Sequence, residues 1–146
     1  MIKKVSVLAL AFALMVGCTF STNMKLMFNV ETGDKIYVEV DTTDGYKMTA
    51  DAPFSVTKDG AVQLQGTFIY EAAFQAYADA AAEDPDARII ERSSKNGNQY
   101  VFWSYAEEEY NIVMFVGGSS TGVLMSSTVS EEAAREAFNR MTFSLS

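Results

Sequence analysis

The chain has no histidine and one cysteine, Cys18. That removes serine–histidine and cysteine–histidine nucleophile pairs and the usual zinc ligand sets. The remaining reactive combinations are few. Ser55-Val56-Thr57-Lys58 has the serine–lysine spacing of penicillin-binding enzymes, but those need the pair on a helix, one turn apart. Here the segment alternates as a strand, which sends the two side chains to opposite faces. Gly117 to Gly122 has the glycine spacing of a phosphate loop, yet Val123 stands where that loop needs lysine. It reads as a hairpin turn. Asp41, Asp44 and Asp51, or Asp84 and Asp86, offer oxygens to a hard cation but lack the calcium-loop spacing. No metal and no cofactor is expected. Tyr100, Phe102, Trp103, Tyr105 and Tyr110 form the densest aromatic cluster, with Glu107, Glu108 and Glu109 between the last two. Large aromatics beside an acidic rim can form a recognition patch. The same residues also suit a central strand with core on both sides.

Cys18 closes a short apolar segment. Lys3 and Lys4 precede a run from Val5 to Val16, and Gly17 stands directly before the cysteine. A positive start, an apolar stretch short for a bilayer span and a small residue at the cut site make a secretory signal. With the cysteine in place, the segment resembles a bacterial lipoprotein signal. Met15 occupies the position where such signals usually carry leucine, with Leu14 one step earlier. The resemblance implies cleavage before Cys18, diacylation of its thiol, palmitate among the acyl chains and a lipid anchor in the cell membrane, on its extracytoplasmic face. An ordinary cleaved signal and an uncleaved anchor helix are the alternatives.

On that reading residues 1–17 are a signal peptide, 18–23 a short tether and 24–146 one domain. Cleavage removes 17 of 146 residues and leaves 129, enough for a single core. It also removes two lysines, taking the net charge from −8 to −10. Such a surface repels phosphate backbones, so nucleic acid is excluded as a partner. Anionic headgroups are disfavoured too, which leaves lipid on Cys18 as the hold on the membrane. Without a second cysteine the fold has no disulfide and depends on its core.

The elements that must position these residues follow from periodicity. Leu26, Phe28 and Val30 alternate with polar positions, and so do Ile36, Val38 and Val40 after Thr32-Gly33-Asp34, which predicts a hairpin. Further strands are expected at Tyr46–Ala50, Phe54–Lys58 and Ala61–Gly66. Phe68 to Glu83 has helical spacing and many alanines, and Asp84-Pro85 stops it. Strands return at Ala87–Arg92 and, after Asn96-Gly97, at Gln99–Tyr105, Tyr110–Val116 and Val123–Thr128. Ile112, Met114 and Val116 on one face, with Val113 and Phe115 on the other, mark a central strand. Ser130 with Glu131 and Glu132 starts a second helix that presents Ala134, Ala137, Phe138 and Met141. Thr142–Leu145 follows as an extended tail or edge strand. The expected class is α+β, a mostly antiparallel sheet with two helices packed on it.

Two stretches carry a second resemblance. Gly45-Tyr46-Lys47-Met48 leads to Ala52-Pro53-Phe54, and from Val123 to Phe143 a strand runs into Glu131-Glu132-Ala133 and a helix ending at Met141-Thr142-Phe143. The order resembles the PsbP-like fold, shared by the photosystem oxygen-evolving subunit, a Ran-binding nuclear family and small DcrB-type lipoproteins of bacteria. It implies a sandwich and a non-catalytic role in binding or assembly, with an envelope protein as partner. A small carboxylate-dependent hydrolase of the cell envelope is the alternative.

Overall fold

The computed structural model describes residues 6–10, as a backbone strand, together with 23–51 and 53–146. Cys18, the expected cleavage site before it, residues 19–22 of the expected tether and Ala52 lie outside the described residues. Strands β1 (Ser6–Leu10), β2 (Asn23–Asn29) and β3 (Lys35–Asp41) come first, then a 3-10 turn at Thr43–Gly45. Strands β4 (Tyr46–Thr49), β5 (Phe54–Lys58) and β6 (Ala61–Tyr70) lead into helix α1 (Glu71–Glu83). Strands β7 (Ala87–Lys95), β8 (Asn98–Tyr105), β9 (Glu109–Phe115) and β10 (Thr121–Ser127) separate it from helix α2 (Glu131–Asn139), and β11 (Met141–Leu145) follows. The fold is α+β, and its sheets are antiparallel throughout the described pairings.

The strands form two sheets rather than the single one expected. One has the order β1-β2-β3-β11, the other β4-β5-β6-β10-β9-β8-β7. The split follows from the last strand. Met141 and Phe143 are buried on β11, which pairs with β3 from Met141↔Val40 to Leu145↔Ile36 and leaves the larger sheet alone. The apolar face of the β2–β3 hairpin then needs a cover. Leu26, Phe28, Ile36 and Val38 pack on Phe54, Val56, Leu64, Phe68 and Met125 of the larger sheet. Four phenylalanines join the sheets, with ring centroids 5.0 Å apart for Phe28–Phe68, 5.6 Å for Phe54–Phe68 and 6.4 Å for Phe54–Phe143. Gly66 makes room for this cluster: an added Cβ would stand 2.2 Å from the Phe54 ring.

The larger sheet curls around α2. Tyr46 on edge strand β4 donates its hydroxyl proton to Glu136 at 2.8 Å, while Arg135 donates to Glu91 on the opposite edge strand, β7, at 2.9 Å. One helix thus bridges both edges. Its start is fixed as the sequence predicts, because Ser130 Oγ accepts the Ala133 N–H at 3.0 Å. Ala134, Ala137 and Phe138 are buried; Met141, expected on the same helical face, is buried as part of β11. Helix α1 covers the other side of the sheet with Phe74, Ala78 and Ala81, over Val101, Trp103 and Val113. It starts three residues later than its spacing suggests. Phe68 to Tyr70 stay in β6, paired with Val123 to Thr121, because Phe68 fills the space between the sheets. Strand β9 is central as expected: Ile112 and Met114 face one core, Val113 the other.

Candidate functional site

The aromatic strand divides between core and surface. Phe102 is 1% exposed and Trp103 is 7% exposed, under α2 and α1 respectively. Tyr100 is half-buried and meets Phe138 edge-on at 4.9 Å. Tyr105 is 40% exposed, and Glu107, Glu108 and Glu109 stand exposed beside it. The surface part of this cluster is therefore one tyrosine with three carboxylates. The turn is held by Ala106 N–H donating to the Asp86 carbonyl at 3.0 Å and by Tyr110 Oη donating to the Glu107 carbonyl at 3.2 Å. Ala106 and Glu107 both sit at positive φ, 53° and 57°, where side chains other than glycine are uncommon.

A cleft that the sequence did not signal lies between α1 and the sheet. Its first lobe, about 610 Å³, is lined by Glu71, Phe74, Gln75, Gln99, Phe115 and Gly117. Through Phe74, Gln75 and Gln99 it continues into a second lobe of about 500 Å³ that reaches Arg92, Ser93 and Ser94. Gln75 of α1 and Gln99 of β8 line both lobes together with Phe74, Glu71 lines the first lobe and Arg92 the second. Such a lining can donate to, accept from and stack on a polar ligand.

The contacts around the cleft fix its place relative to β2. Glu71 N–H donates to the Ser120 carbonyl at 3.1 Å, and Ser120 N–H donates to Asp34 at 2.8 Å. Thr121 Oγ1 also donates to Asp34, at 2.7 Å. Asp34 follows the Asn29 end of β2, whereas Asn23, at its start, pairs with Asp41. The seven residues of β2 span roughly 20 Å at about 3.3 Å each. The first lobe thus lies toward the Asn29 end of β2, away from Asn23.

The other chemical candidates resolve into structural roles. Asp41 and Asp44 converge on Arg140, at 3.6 and 2.8 Å, and the guanidinium lies 4.0 Å over the Tyr46 ring. The Thr43 N–H and hydroxyl, at 3.0 and 2.7 Å, hold the Asp41 carboxyl below its ordinary range. Asp51 is exposed elsewhere, and Asp84 accepts the Asp86 N–H at 2.8 Å at the end of α1. Among the described residues no group of three or more acidic, cysteine or histidine side chains is placed to hold a metal. Ser55 accepts from Gln65 at 3.3 Å, while Lys58 reaches Glu136 at 4.0 Å. Gly117 to Gly122 turns between β9 and β10, and Ser119 Oγ donates inward to the Val116 carbonyl at 2.7 Å.

Lys95 is a half-buried cation that periodicity did not reveal. Its Nζ donates to the carbonyls of Phe138 and Met141, both at 2.7 Å, and lies 4.6 Å from the centre of the Phe138 ring. Burial pulls its pKa down to about 8. Between pH 8 and its ordinary value of 10.5 the unfolded chain binds a proton that the folded one releases. Stability therefore rises with pH through that window. Denaturant midpoints measured from pH 8 to 9.5 should climb in the wild type. Lys95→Met should flatten the slope.

No protein-family model, no curated protein and no solved structure matches the chain. No helix among the described residues is long and apolar enough to cross a membrane.

Proposed function

We propose that the chain is a bacterial lipoprotein whose PsbP-like α+β domain is a non-catalytic binding or assembly factor, held on the extracytoplasmic face of the cell membrane by lipid on Cys18. The observation that carries the reading is the distance from the cysteine to the fold. Core strand β2 begins at Asn23, five residues after Cys18. Fully extended, those residues reach about 17 Å, so a lipid on Cys18 keeps the start of β2 near the bilayer. The cleft between α1 and the sheet lies at the other end of that strand, where a partner in the envelope can reach it. Its amide and aromatic lining suits binding, while Asp41 and Asp44 are spent on Arg140, Glu91 and Glu131 on Arg135, and Glu107 to Glu109 stand exposed.

Metabolic labelling with an alkyne fatty acid tests the anchor. The wild type should be labelled and sediment with membranes, and Cys18→Ala should lose both properties. Equal labelling of the two overturns the reading. Chemical crosslinking in intact cells then tests the role: a discrete complex should form with the wild type and fade when Cys18→Ala releases the domain.

A further inference from the structure

We propose that the edge of β2 is a strand-acceptor site, filled in the mature protein by an extended apolar segment of a partner protein running antiparallel to it. The inference rests on the lipoprotein reading, through cleavage before Cys18. In the structure that edge is taken by β1, paired from Ser6↔Asn29 to Leu10↔Lys25. Val7 stands opposite Phe28, and Ala9 opposite Leu26. All of β1 belongs to the stretch that cleavage removes. What remains from Lys25 to Asn29 is a strand with β3 on one side and, on the other, the backbone edge that β1 had occupied, a template for a further strand.

The remaining edges of the two sheets are guarded in ways that β2 is not. Strand β7 carries Arg88, Glu91, Arg92 and Lys95, and its pairing is irregular between Ile89 and Glu91. Strand β4 has only four residues. On β11 the Met141 and Phe143 carbonyls already accept from the side chains of Lys95 and Asn98, at 2.7 and 2.9 Å. Charge, irregularity, shortness and cover are the usual protections of a sheet edge. Strand β2 pairs with β3 over seven consecutive residues without a register shift and contains no proline. Its single charge, Lys25, lies over the Tyr37 ring at 4.5 Å.

Charge decides between occupants. A second copy would set a net −10 against another −10, and mutual repulsion opposes that contact. A short uncharged strand of the β1 kind meets no such field. The partner segment should be apolar opposite Phe28 and Leu26, the positions where Val7 and Ala9 stand.

The test uses the wild-type lipoprotein purified in detergent and a synthetic peptide of the sequence Lys3 to Ala11, whose lysines keep it soluble. Intact-mass measurement first establishes where the chain begins. Hydrogen exchange of the amides from Lys25 to Asn29 is then followed with and without the peptide. The peptide should slow exchange there by about tenfold or more and leave β7 unchanged, while a Val7→Pro peptide should have no effect. An acylated chain beginning at Cys18 whose β2 exchange ignores the peptide overturns the acceptor site and leaves the lipoprotein reading intact. A chain that retains residues 1–17 overturns both. Protection of β2 without peptide, in a particle with the mass of a dimer, gives the edge to a second copy and overturns the partner assignment.

Discussion

Phe138→Ala should lower the unfolding free energy by about 3–5 kcal/mol, the range for removing a buried aromatic ring. The ring is 3% exposed. It takes the edge of Tyr100 at 4.9 Å and lies under the Lys95 ammonium at 4.6 Å. Few small rearrangements can refill the space, because α2 is held from both sides, by Tyr46 on β4 and Glu91 on β7. The helix that carries Phe138 is what closes the curled sheet. Urea midpoints and calorimetry at pH 7 measure the loss. Phe138→Leu keeps most of the volume and should lose far less. A loss below about 1 kcal/mol for the alanine variant would mean that α2 does not dock as described.

The parts of the fold that could be read in the sequence are those governed by local period. Leu26, Phe28, Ile36, Val38 and Val40 announce their strands because alternate positions face one core. Asn96-Gly97 and Ser130 announce a turn and a helix start because the backbone there needs those residues. The division into two sheets is different in kind. It depends on Met141 finding Val40, a pairing of residues about a hundred positions apart that no local pattern encodes. Helix α1 starts later than its spacing predicts for a related reason: Phe68 fits helical spacing, but the space between the sheets claims it. Alternation along β8 puts Tyr100 and Phe102 on one face and Trp103 and Tyr105 on the other. It is silent on which layer covers each face, and that decides which of them reaches solvent. The cleft was invisible because its polar walls, Gln75 and Gln99, come from separate elements and carry no signal in isolation.

That division between core and surface makes a sharp comparison possible on β8. Trp103→Ala should destabilise the domain by about 3–5 kcal/mol, because the indole is 7% exposed and packs in one cluster with Phe74, Ala78 and Ala81 of α1. Tyr105→Ala, two residues along the same face, removes a ring that is 40% exposed and should change stability by no more than about 0.5 kcal/mol. The tryptophan variant should also act locally. Helix α1 is held to the sheet through this smaller cluster, whereas β2 and β3 belong to the larger core on the other side. Hydrogen exchange should therefore accelerate along Glu71–Glu83 before it does so in β3. The cleft shares Phe74, Gln75 and Ala78 with that helix, so a partner bound there should be lost with Trp103 and kept with Tyr105. A partner lost with Tyr105 while the fold stays intact would instead assign recognition to the exposed turn of Glu107, Glu108 and Glu109. Equal destabilisation by both variants would mean that α1 does not cover Trp103.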